Sequence, residues 1–284
     1  MSKAHKDWDL IIKPKTNLLD LQLKQVWKYR DLLLLLVRRD FISFYKQTIL
    51  GPIWFFIQPL FTVGIYMFIF GGIAGIKTDD IPQPIFYLSG IAAWTYFSEC
   101  VLKTSNIFRE NAGIFGKVYF PRLIMPLCVV ISNLFKFGIQ STLLVIIIAY
   151  FSLNGYHFNF SFINILFIPI FIVFIAAFGL GVGLIVSSLT IKYRDFALLL
   201  SFAISILMYT CPVVYPLTSL SGKIKFLVML NPMTSLIEGF RYLLFGYGSL
   251  NIYNSLYGFI FILITLFVGV VFFNKVQKNF IDII

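Results

Sequence analysis

The sequence predicts an all-α polytopic membrane protein: six transmembrane helices, an N-terminal amphipathic interface helix, and a re-entrant pair of short helices between the last two spans. Three observations lead there. Of 284 residues, 59% are hydrophobic, 18% aromatic and only 12% charged, against roughly 25% charged in an average soluble domain. With 33 Phe and a mean hydropathy of +0.89, the apolar surface exceeds what one core of this size can hide, so most of it faces lipid. The other two observations are the long stretches free of charge and the uneven placement of Lys and Arg between them.

Charge-free runs cover 52–76, 81–98, 137–191, 196–222 and 242–274. The third is too long for one helix and breaks at SLNGYHFNFSF, residues 152–162, where Asn, Gly and His favour a turn at the interface. The predicted spans are therefore 52–76, 85–107, 125–150, 163–189, 196–215 and 252–273, following a cytosolic segment at 1–51. With the N-terminus inside, eighteen Lys and Arg fall on the inner connections and four, Lys77, Lys223, Lys225 and Arg241, on the outer ones. This excess places both termini in the cytoplasm. It also accounts for the net charge of +11 through membrane topology and anionic headgroups, so no nucleic-acid partner is expected. The opening residues, MSKAHKDWDLIIKPKTNLLD, lack the apolar core of a cleavable signal and are expected to stay in the cytosol.

Two segments do not fit simple spans. Residues 17–46 mix Leu-rich patches with many charges and are too polar to cross. Two readings stand: an amphipathic helix at the inner interface, which suits Trp27 and Tyr29, or a solvated helix packed on a partner. In 216–246, IKFLVML and MTSLIEGFRYLLFG are apolar but far shorter than the roughly 20 residues a span requires. A short pair that dips in from the outer face and returns satisfies length and topology, with Asn231 as N-cap and Pro232 at the first helical position.

No catalytic set emerges. His5 and His157 fall on opposite sides of the membrane, and no metal-ligand spacing occurs. Cys100, Cys128 and Cys211 stand singly in apolar context and are expected to be free thiols. The nearest approach to a phosphate loop, GIFGK at 113–117, has the wrong spacing, so an ATP-driven process would need its ATPase on another chain. Intramembrane carboxylates are few, which weighs against an ion-coupled carrier. Glu99 and Lys103 stand at i,i+4, and Lys136 lies at a similar depth in the third span and can share Glu99.

Trp54, Phe55, Phe56, Trp94, Tyr96 and Phe97 crowd the first two spans. Their rings suit either sugar stacking in a channel or contact with lipid and its interface. Gly179 and Gly183 in GLGVG are spaced for close helix packing. Arg30, Arg38, Arg39 and Lys46 precede the first span and suit either capture of a phosphate headgroup or the positive-inside bias alone. The amphipathic connection 106–122 reads as a partner contact or a surface connector. Glu238 and Arg241, at i,i+3 in the outer pair, are expected to pair with one another or across a dimer, as a gate element or as a structural tie.

Five blocks carry a resemblance: VRRDFISFYKQTILGPIWFFIQPL at 37–60, AGIFGKVYFPRLIMPL at 112–127, IKYRDF at 191–196, CPVVYPL at 211–217 and NPMTSLIEGFRYLLFG at 231–246. Together they resemble the membrane-spanning permease subunit of ABC-type polysaccharide exporters, the O-antigen, capsule and teichoic acid transporters. The resemblance runs from about residue 20 to the C-terminus. It implies a plasma or bacterial inner membrane homodimer, two separate ATPase subunits carrying ATP and Mg, and a wide channel for an undecaprenyl-pyrophosphate-linked polymer. It further implies ATPase coupling through the N-terminal helix and the inner connections, with Arg109, Glu110, Lys117, Arg194 and Asp195, and an outer gate with Asn231, Glu238 and Arg241. The alternatives are a related ABC permease for drugs or lipids and a membrane-embedded glycosyl- or acyltransferase, for which the sequence offers no convergent acids or His.

Overall fold

The computed structural model describes residues 23–46, 48–111, 113, 120–159, 161–190, 193, 195–248 and 251–279. Among these, every regular element is helical. Two helices, α1 (Leu23–Lys28) and α2 (Arg30–Tyr45), precede a single 3-10 turn at Gly51–Ile53 that leads into α3 (Trp54–Tyr66). The latter continues as a wider π-helical segment, Met67–Ile73, which contains the Gly71-Gly72 pair. Next come α4 (Gln83–Ser105), α5 (Ile107–Glu110), α6 (Ile124–Leu153), α7 (Phe162–Thr190) and α8 (Asp195–Leu207), then α9 (Gly222–Met229), α10 (Pro232–Phe245) and α11 (Ile252–Asn279).

Among the described residues, five helices are long and apolar enough to cross a membrane: Gly51–Ile73, Gln83–Ser105, Ile124–Leu153, Ile163–Thr190 and Ile252–Val276. Their ends lie within a few residues of the predicted spans. The expected span at 196–215 is shorter: α8 and its closing 3-10 turn cover Asp195–Thr210, about 24 Å at 1.5 Å per residue, against a hydrocarbon core of about 30 Å. Pro212 is the physical reason. It drives Cys211 into extended backbone, at φ −116° and ψ 155°, so the apolar run CPVVYPL leaves the helix.

Helix α4 occupies the centre. Its most apolar window is 78% buried, against 11–28% for the other four. It is also the least apolar of the five, with a mean hydropathy of 1.3 against 2.8 for α7 and 2.7 for α11. The placement follows from solvation: Ser, Thr, Tyr, Glu and Lys on a helix within lipid need partners that only neighbouring helices supply. Glycines set the closest approaches. A Cβ on Gly179 would sit 2.7 Å from Cys100 Cβ, and one on Gly183 2.6 Å from Thr104 Cβ, so α7 closes on α4 through the predicted glycine pair. Gly181, between them, meets the α11 backbone, where its Cβ would lie 2.9 Å from Leu266 Cα.

In a second cluster, Leu36 and Val37 of α2 pack with Phe108, Ile124, Cys128, Leu184 and Phe273. Trp27, Leu34 and Leu35 stay exposed. The two short helices expected between the last long segments are present as α9 and α10. Asn231 Oδ1 accepts the Met233 N–H at 3.0 Å, Pro232 follows at the first helical position, and Gly246 closes α10 at φ +72°. Nearly all of α10 is buried, packed on α4, α7 and α11.

Candidate functional site

Helices α3, α4 and α6 enclose a cleft of about 170 Å³. Its polar lining comes from Gln58 and Thr62 on α3, Thr95 and Glu99 on α4, and Asn133, Lys136 and Gln140 on α6. Its rings come from Phe55, Tyr66, Trp94, Tyr96 and Phe137. Tyr96 packs against Phe137 with centroids 5.3 Å apart, and its hydroxyl donates to the Val130 carbonyl at 3.4 Å.

A charged cluster forms one wall. Glu99 Oε2 takes Lys103 Nζ at 2.8 Å and Lys136 Nζ at 3.4 Å, and Lys103 also donates to Asn133 Oδ1 at 3.2 Å. Rings beside amides, hydroxyls and ammonium groups can bind a polar, partly anionic molecule and present it with a face to stack on. Among the described residues no group of His, Cys, Asp and Glu is placed to hold a metal ion, and the three cysteines are free.

The second concentration of polarity surrounds Arg241, which is 1% exposed. Its Nη1 donates to the Pro212 carbonyl and lies 3.5 Å from Glu238 Oε1. Its Nη2 donates to the carbonyls of Phe86 at 3.0 Å and Val213 at 3.1 Å, and Nε donates to Ser89 Oγ at 3.3 Å. The guanidinium thereby fastens α10 to the N-terminal part of α4 and to the extended 211–213 strap. Gly90 makes room: a Cβ there would lie 2.5 Å from Arg241 Nη2 and 3.0 Å from the Val213 carbonyl oxygen. Asn231 adds a second tie, its Nδ2 donating to Thr210 Oγ1 at 3.1 Å and Cys211 Sγ at 3.0 Å.

The remaining sequence candidates are scattered. Phe55, Trp94 and Tyr96 line the cleft, Phe56 packs beside the core, Trp54 is exposed, and Phe97 stacks on Phe178 with centroids 4.9 Å apart. Arg39 is held by Asp40, its Nη2 at 2.7 Å from Oδ1, while Arg38 and Lys46 are exposed and Arg30 lies over the Trp27 ring at 5.7 Å. Arg109, Glu110 and Asp195 are exposed at helix ends. Lys117 and Arg194 lie outside the described residues.

Gln58, Thr62, Asn133 and Gln140 were absent from the sequence expectations, although a signal existed. Gln58 and Thr62 are i,i+4 on α3, Thr95 and Glu99 i,i+4 on α4, and Asn133, Lys136 and Gln140 i, i+3, i+7 on α6, so each helix carries one polar stripe.

The family described as ABC-2 type transporter matches residues 31–245. An O-antigen export system permease protein of Klebsiella pneumoniae is 30% identical over 255 residues, 89% of this chain and 95% of its own length. A protein of the same description from Myxococcus xanthus is 25% identical over 222 residues, 77% of this chain and 82% of its own. A polysialic acid transport protein of Escherichia coli is 24% identical over 231 residues, 81% and 87% respectively. The family match takes in the cleft, the central helix α4 and the Arg241 knot alike, and with apolar helices on every side of them this multi-pass membrane chain belongs to the ABC-2 type transporter family.

Proposed function

We propose that the chain is the channel-forming subunit of an ATP-driven exporter of lipid-linked polysaccharide across a bacterial inner membrane. It works as a homodimer with two copies of a separate ATPase that bind ATP and Mg. The observation that carries this reading is the cleft: in a chain similar along most of its length to O-antigen permeases, amide, hydroxyl and ring side chains gather where lipid alone would favour aliphatic ones.

The topology of this reading has both termini in the cytoplasm, α2 at the inner interface, α8 with the 211–216 strap completing a sixth crossing, and α9–α10 dipping in from outside. Exposed Arg38, with Arg30, Arg39 and Lys46 nearby in sequence, attracts the pyrophosphate headgroup. Arg109, Glu110 and Asp195, with Lys117 and Arg194, receive the ATPase stroke. Phe55, Trp94 and Tyr96 offer stacking faces to passing sugars, and Asn231, Glu238 and Arg241 hold the outer helix pair shut.

Copurification with the ATPase of the neighbouring gene and reconstitution in vesicles tests the reading. ATP turnover is expected to rise with undecaprenyl-pyrophosphate-linked glycan. Turnover that ignores every lipid-linked glycan yet responds to free lipids or drugs would replace it with a lipid or drug permease.

A further inference from the structure

Helix α9 (Gly222–Met229) is far too short to cross a membrane, yet its outward face is apolar. Ile224, Phe226 and Leu227 are exposed on it, with Leu230 just beyond its end, while Val228 is buried. Lys223 and Lys225 stand in its first turn, and they are the only charged residues between Asp195 and Glu238. Neither meets a carboxylate among the described residues. Ser221, at the N-cap, makes no side-chain bond to the first-turn N–H groups. The positive-inside bias disfavours lysines on an outer connection, so these two need a counter-charge that their surroundings in the chain do not supply.

Two contacts fix the level of α9. Asn254 Nδ2 donates to Met229 Sδ at 3.4 Å, and the Tyr257 hydroxyl donates to the Leu230 carbonyl at 3.2 Å. The C-terminal end of α9 therefore sits against the first two turns of α11, which starts at Ile252 and is long and apolar enough to span. Tyr253 and Tyr257 are exposed on those turns, as tyrosines are at a membrane–water boundary.

We propose that α9 lies on the outer membrane–water boundary as a docking surface for anionic phospholipid. Phe226, Leu227 and Leu230 enter the acyl region, and Lys223 and Lys225, with the first-turn N–H groups, hold the headgroup phosphate. The inference rests on the topology of the transport reading above, which puts α9 outside, and adds to it a lipid contact.

Charge selects this occupant. A short helix with lysines beside Phe and Leu is the pattern of a segment that lies in the interface, with the lysine heads reaching up to the phosphates. A second copy of the chain meeting α9 across a two-fold axis would instead set the lysines of both copies side by side, where like charges repel. The contact also has a structural consequence. Helix α9 leads directly into Asn231, which ties the start of α10 to Thr210 and Cys211, so a bound headgroup steadies the outer element that carries Arg241.

The test uses the full chain with its ATPase partner in nanodiscs and a fluorophore on Leu227→Cys, the native cysteines being buried. Quenching is measured with phosphatidylglycerol or phosphatidylcholine that carries a nitroxide high on the acyl chain. Both lipids are expected to quench, phosphatidylglycerol at an about fivefold lower mole fraction. Lys223→Gln combined with Lys225→Gln is expected to keep the quenching and remove the preference, and the corresponding pair of Arg substitutions to keep both.

Absence of quenching by either lipid overturns the proposal, because the face then lies in water or against protein. A preference that survives in the double Gln variant overturns it as well. Loss of the preference on adding trace farnesyl pyrophosphate assigns the lysines to a cargo headgroup and overturns the phospholipid assignment. If the double variant does not fold, the single Gln variants decide, each being expected to lower the preference. Glycan-stimulated ATP turnover is recorded on the same nanodiscs: selective quenching without stimulation keeps the lipid contact and sinks the exporter reading, and stimulation without quenching sinks only the lipid contact.

Discussion

At the residue scale, Arg241 shows how a buried charge is tolerated when every donor is used. Its acceptors come from Ser89, Phe86, Pro212, Val213 and Glu238, so the carboxylate is one of five partners. Glu238→Gln is therefore expected to fold and to lower stability by about 1–3 kcal/mol, read as a modest drop in melting temperature in detergent. Arg241→Met takes the buried cation from beside Glu238 and a donor from several carbonyls at once and is expected to cost about 3–5 kcal/mol, read as loss of the monodisperse protein. Dye leak from vesicles carrying Glu238→Gln tests the gate: a well-expressed variant no leakier than wild type removes this carboxylate from it.

Gly90→Ala probes the same knot from the other side. Its methyl would sit 2.5 Å from Arg241 Nη2 with Val213 backbone behind it. The expected loss is about 1–3 kcal/mol from overpacking, and a melting curve matching wild type would show that the strap yields. The i,i+3 pairing of Glu238 with Arg241 was legible in the sequence. The other four acceptors lie 28 to 155 residues away and leave no local trace.

At the scale of the element, α7 joins two neighbours through one glycine run. Gly179 and Gly183 face α4 and Gly181 faces α11, which the 3.6-residue period allows because positions two apart point about 200° apart while positions four apart nearly coincide. Gly181→Leu is expected to push α11 away and abolish a stable fold, checked by thermal unfolding. Gly113→Ala meets nothing within 4 Å and serves as the neutral control.

The spacing of GLGVG announced close packing, yet it did not name the partners. Helix α8 is the reverse case: its apolar run continued through CPVVYPL, and composition alone extended the span to 215. Backbone geometry at Pro212 ended the helix at Thr210, since the residue before a proline disfavours the helical region.

At the scale of the whole molecule, the sequence has no phosphate loop, so the purified chain alone is expected to hydrolyse no ATP. Robust turnover by the pure protein, with contaminating ATPase excluded by a catalytically dead partner control, would refute a separate energy source.

By itself the sequence determined the membrane class, the position and length of five long apolar helices, two short helices with an Asn231-Pro232 start to the second, and the Glu99–Lys103 pair. Each of these depends on composition or on contacts within a turn or two, where hydropathy and the helical period act directly. Only the tertiary structure decided that α4 is the centre, that the polar stripes of α3, α4 and α6 face one cleft, and that Arg241 is bound on all its donors. A helix in lipid gains little hydrophobic energy from choosing one apolar neighbour over another, so hydropathy is silent on which faces meet. Glycine contacts and buried hydrogen bonds, made between residues far apart in the chain, make that choice.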